Sequence, residues 1–130
     1  MAEASTALHE AREDVAPDTL EYRRALLSLM EELEAIDWYQ QRIDATDDDE
    51  LAEILAHNRH EEREHAAMSL EWIRRRDPEF DRVLRTYLFT EEPIVDIEED
   101  EEGESTGDLR PSDALDGSLG IGSLKVNVEQ

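Results

Sequence analysis

Cysteine is absent from this 130-residue chain. Disulfide staples and thiolate metal sites are therefore closed to it, and a reducing compartment fits. Loop punctuation is scarce as well. All five glycines lie beyond Glu91, and between residues 18 and 90 the only proline is Pro78. No apolar run approaches the roughly 20 residues needed to span a bilayer. The opening MAEASTALHEAREDV has no basic stretch leading into an apolar core, so it does not read as a secretory signal. Together these absences predict a cytoplasmic chain with no membrane contact. Positive charge is short: 13 Lys and Arg stand against 36 Asp and Glu, a net charge of −23. Such a chain repels nucleic acid and attracts cations. Solubility alone is the simpler account of an acid excess, so charge sets a direction here and not a function.

What remains has room for one domain at most. Residues 1–17 form a polar lead with no apolar period, and residues 18–90 read helical throughout. From Glu91 onward thirteen acids face only Arg110 and Lys125, and the run EEDEEGESTGD predicts an acidic disordered linker over 91–115. Residues 116–130 stand apart, with Leu119, Ile121 and Leu124 spaced by glycine and serine. That pattern is too small for a core. It is equally compatible with a frayed end and with an extended peptide filling pockets on a partner.

Asp18-Thr19-Leu20-Glu21 has the form of a capping box and predicts a helix to about Ala45. The cluster Thr46-Asp47-Asp48-Asp49 ends it and caps a second helix, about Glu50 to Arg76. Asp77-Pro78 then forces a break before a short helix to about Phe89. The expected fold is all-α: an antiparallel two-helix hairpin plus a short C-terminal helix, with a disordered acidic tail. A hairpin of this size cannot enclose a core, so each helix must bury its stripe against another chain.

The chemistry sits on the apolar stripes. With about 100° per residue, Ala25, Leu29, Ile36, Tyr39 and Ile43 fall within roughly 60° of Glu32. On the second helix Leu51, Leu55, Asn58, His65, Ala66, Ser69 and Ile73 fall within roughly 60° of Glu62. Glu62 and His65 form a Glu-x-x-His unit with side chains on one face. Burying a lone carboxylate is costly, and a metal ion offsets the cost. Ferritin-like carboxylate bundles use a Glu from each of two helices and a Glu-x-x-His from each of two others. This chain carries one of each, half a site. Two chains about a two-fold axis would supply four carboxylates and two imidazoles in a four-helix bundle, a donor set suited to iron. An arginine partner is the competing account of the buried acids, and Arg59, near Glu62, is placed for it; from spacing alone the two accounts are even.

A second set lies on other faces. Leu20, Leu27, Glu31, Glu34 and Trp38 share one face of the first helix; His57, His60, Glu61, Glu64 and Met68 share one of the second. These acids suit loosely held calcium or other divalent cations, and equally an ordinary solvated face. Tyr39 reads as core or as a neighbour of the metal site.

Three segments, MEELEAIDWYQQRIDA, LAHNRHEEREHAAMSLEWIRR and LRTYLFTE, closely resemble the encapsulated ferritins, and GSLGIGSLK resembles the cargo-loading peptide that targets proteins into encapsulin shells. The likeness spans about Leu26 to Glu92 plus the tail peptide. It implies a ferroxidase, oxidising Fe(II) to Fe(III), with Glu32, Glu62 and His65 as ligands of a di-iron centre, two irons per subunit pair, and Tyr39 close by. It further implies a metal inlet at Glu31, Glu34 and Trp38 and an outer metal group at His57, Glu61 and Glu64. The expected assembly is dimers joined into an annular decamer inside an encapsulin nanocompartment, whose shell protein binds through the C-terminal peptide around Leu119, Ile121 and Leu124. A non-catalytic, metal-binding helical scaffold is the rival reading.

Overall fold

A computed structural model describes residues 7–108, with side chains described through Gly103. After a 3-10 turn at Arg12–Asp14 come four helices: α1 (Pro17–Ala45), α2 (Asp49–Arg76), α3 (Pro78–Tyr87) and α4 (Ile94–Asp108). No strand occurs among the described residues. They group into two compact units, one ending at Ile73 and the other beginning at Arg74.

In the first unit α1 starts one residue before the expected capping box. Ala16 is the N-cap and makes no side-chain cap bond, and Pro17 takes the first helical position. Proline suits that place because its φ is already helical and its missing N–H is one the helix start leaves unpaired. Asp18 therefore lies inside the first turn, where its charge meets the positive end of the helix dipole. The turn between α1 and α2 is built as its residues suggest. Thr46 Oγ1 accepts from the Asp48 N–H at 3.1 Å, and Asp48 Oδ1 accepts from the Leu51 N–H at 2.9 Å, capping α2.

Side-chain bonds that cross between the long helices give their direction. Ser69 bonds to Glu32, and Arg59 donates to Gln40. As α1 advances from 32 to 40, its partners on α2 recede from 69 to 59, so the helices run antiparallel. This hairpin encloses very little: Ala66 and Ile73 are its only buried apolar residues among those described. Met30, Leu33, Trp38, Leu51, Ile54 and Met68 remain largely open to solvent. Large apolar surface left on a pair of long helices marks a face for further protein.

In the second unit Asp77 Oδ1 accepts from the Phe80 N–H at 3.0 Å and caps α3, with Pro78 at its first position. Asp81 accepts from both Arg74 and Arg85. Helix α3 stops at Tyr87, two residues short of expectation. Phe89 turns the chain at φ 62°, the left-handed region that glycine usually fills, and its side chain is fully exposed.

The acidic stretch departs from the sequence reading. Residues expected to be a disordered linker form α4 over Ile94–Asp108. Pro93 starts it, its carbonyl accepting from the N–H groups of Asp96 and Ile97. Glutamate favours helix, and the half-buried Ile97 gives α4 an apolar anchor as it packs on α3. Glu98, Glu101 and Glu102 lie close enough to Tyr87 that burial and their charge raise its phenol pKa. Charge composition alone carries no trace of the neighbouring helix. Residues 109–130, including the expected loading peptide at Leu119, Ile121 and Leu124, lie outside the described residues.

Candidate metal centre

Glu62, His65 and Ser69 stand at i, i+3 and i+7 on α2, one above another along a single row. From α1, Glu32 reaches that row: its Oε1 accepts a hydrogen bond from Ser69 Oγ at 3.0 Å. Within the row, His65 Nδ1 lies 3.5 Å from Glu62 Oε1. The Glu62 side chain is 22% exposed and that of His65 43%, so the carboxylate is mostly covered while the imidazole stays reachable.

Arg59 does not neutralise Glu62. Its Nη1 donates across the hairpin to Gln40 Oε1, and its Nε is buried with no acceptor. Gln40 in turn donates from Nε2 to Asp44 at 2.9 Å. Among the described residues, neither Glu32 nor Glu62 forms an ion pair with an arginine or lysine. The competing account of the buried acids therefore loses its partner. Tyr39, on the face of Glu32, carries the Arg42 guanidinium 5.3 Å from its ring centre.

The outer residues fall differently from their grouping in the sequence. Glu61 stands between two imidazoles, Oε2 at 3.5 Å from His57 Nε2 and Oε1 at 3.9 Å from His65 Nε2. Glu64 pairs instead with His60, at 3.1 Å. Glu61 is thus shared between the outer histidine and the Glu62–His65 unit, a link that spacing alone did not single out. Glu31, Glu34 and Trp38 follow one another at i, i+3 and i+7 on α1. Trp38 is 50% exposed and, with Gln41, Arg42 and Ala45, lines a shallow open hollow. Glu31 is exposed and Glu34 half-buried.

No three His, Asp or Glu side chains among the described residues converge to hold a metal ion within one chain. The oxygen and imidazole donors suit a hard or borderline cation, but a single chain offers them as two separate pieces.

The EncFtn-like family model matches residues 7–91. The chain belongs to the EncFtn-like family, the encapsulin-associated ferritin-like proteins. An encapsulated ferritin-like protein of Rhodospirillum rubrum is 56% identical over 129 residues, covering 96% of this chain and 92% of that one. An encapsulin nanocompartment cargo protein of Myxococcus xanthus is 48% identical over 62 residues, 48% of each chain. The crystal structure of a Nitrosomonas europaea protein, 56% identical, superposes with a TM-score of 0.66 over 68% of this chain and 97% of that one. The matched span of the EncFtn-like model takes in both long helices and α3, and with them every described candidate ligand.

Proposed function

We propose that this EncFtn-like chain is a ferroxidase carried as cargo inside an encapsulin shell, where the iron it oxidises is stored. One observation carries the catalytic part: Glu32 is held on the row of Glu62 and His65, and among the described residues no arginine or lysine pairs with either acid. Half-buried carboxylates with no fixed cation beside them favour a metal ion in that role. The donors fit iron as substrate, and the nearly coreless hairpin supplies a reason for two copies to pair. Paired about a two-fold axis, two chains bring four carboxylates and two imidazoles to a shared di-iron site, the donor set of ferritin-like carboxylate bundles.

In this reading Glu32, Glu62 and His65 bind two iron(II) ions across the pair. Each ion gives one electron to the oxidant. Dioxygen with two protons leaves as hydrogen peroxide; peroxide with two protons leaves as two waters. The carboxylates favour the higher charge of the ferric product. Tyr39 stands beside them. Glu31, Glu34 and Trp38 form the inlet, and His57, Glu61 and Glu64 an outer cation site that passes metal inward through Glu61, the carboxylate that reaches both His57 and His65. Dimers of this kind assemble further into an annular decamer. The peptide around Leu119, Ile121 and Leu124 docks on the shell protein. Support for the shell comes from the relatives, one named as encapsulated and another as an encapsulin cargo protein.

Aerobic addition of Fe(II) to the full-length protein, followed by the growth of ferric absorbance, tests the reading. Oxidation well above the buffer control, lost in Glu32→Ala, Glu62→Ala and His65→Ala, is the expected result. Oxidation no faster than buffer would leave a metal-binding scaffold instead.

A further inference from the structure

We propose that Ser69 is a positioning residue for the metal centre, holding Glu32 by one oxygen so that the other faces the metal. This deepens the ferroxidase reading and rests on it. A serine inside a helix has two outlets for its single hydroxyl proton: the carbonyl four residues back, or a group beyond the helix. Ser69 takes the second. Its Oγ–H points across the hairpin to Glu32 Oε1 at 3.0 Å. The carbonyl it forgoes is that of His65, so the choice is made beside a candidate ligand.

Two consequences follow from that bond. Oε1 spends a lone pair on the hydroxyl, which leaves Oε2 the freer oxygen for a cation. The glutamate, otherwise free to rotate about three side-chain bonds, is fixed at Ser69, one turn beyond His65, before any metal arrives. A site assembled from two chains gains from such prior ordering, because each half must be set before the halves meet. Removing a partner that orients a metal ligand costs about 10–100-fold in metal affinity or activity.

The test is calorimetric titration of the assembled full-length protein with Zn(II), a redox-inert probe. Wild type is compared with S69A, with the shape-matched pair S69T and S69V, with E32A, and with E32A/S69A. The binding component lost in E32A defines the site. S69A and S69V should weaken that component about 10–100-fold. S69T, which restores the hydroxyl, should bind at least about tenfold tighter than S69V. In the E32A background S69A should add nothing, because the serine acts through Glu32. Affinity unchanged in S69V would overturn the assignment, as would an equal loss from S69A with Glu32 already removed. If E32A itself titrates like wild type, the metal centre falls, and the serine's role with it.

Discussion

Ser69 and Glu32 are joined by a 3.0 Å hydrogen bond, and that bond sets α1 and α2 in register at the height of the Glu-x-x-His unit. Glu32 is therefore an anchored carboxylate on a half-buried face, aligned with Glu62 and His65 and with no arginine or lysine beside it among the described residues. The proposed chemistry grows from that deficit.

Removing a ligand should stop the reaction without unfolding the hairpin. Glu32→Ala, Glu62→Ala and His65→Ala should each slow Fe(II) oxidation about a hundredfold or more, roughly 3 kcal/mol of lost stabilisation. Stopped-flow absorbance measures the rate, and far-ultraviolet circular dichroism should show helix content unchanged. Wild-type rates in all three would remove these residues from the mechanism.

The Arg59–Gln40 contact is a brace between the helices, and its value lies in the cost of breaking it. Gln40→Ala leaves a partly buried guanidinium with no acceptor at Nη1 as well as at Nε, which should cost about 1–3 kcal/mol. Thermal melting reads the loss. Replacing both partners, as R59M/Q40L, should recover part of it, because no buried donor is then left unmatched.

Acid should loosen the junction of α2 and α3. The hydrogen bond from Arg74, joined by one from Arg85 at 2.9 Å, holds the Asp81 carboxyl below its ordinary value of 3.8. A group whose folded value is lowered contributes stability above its unfolded value and loses it as pH falls through the folded one. Below about pH 4 the wild-type melting temperature should therefore fall more steeply than that of Asp81→Asn. Parallel curves would mean that the network contributes nothing measurable.

Targeting should separate from catalysis. Deleting residues 116–130, which include Leu119, Ile121 and Leu124, should abolish co-purification with a co-expressed encapsulin shell protein while Fe(II) oxidation persists. Retained loading would place the signal elsewhere.

Much of this architecture is written locally. Thr46, Asp48, Asp77 and Pro78 each act on a backbone within three residues, so the turn after α1 and the break before α3 can be read directly. The Glu62–His65 row is legible for the same reason, since helical spacing alone sets it. Pro17 hides less well: it outranks Asp18 because a fixed φ starts a helix without any side-chain bond. The Ser69–Glu32 bond was beyond reach, because residues 37 apart meet only once two helices have chosen a register. Helix α4 escaped for a similar reason, its support being α3 and not its own composition. The sharing of Glu61 between His57 and His65 depends on rotamers, which periodicity does not see.

The central claim is that two copies of this chain complete one iron site. Crystals of the full-length protein grown with Fe(II), with anomalous scattering recorded at the iron edge, measure it directly. The account predicts paired iron peaks on a two-fold axis, bounded by Glu32, Glu62 and His65 from both copies. Iron absent there, with those three side chains facing bulk solvent or matched by an arginine within one chain, would contradict it.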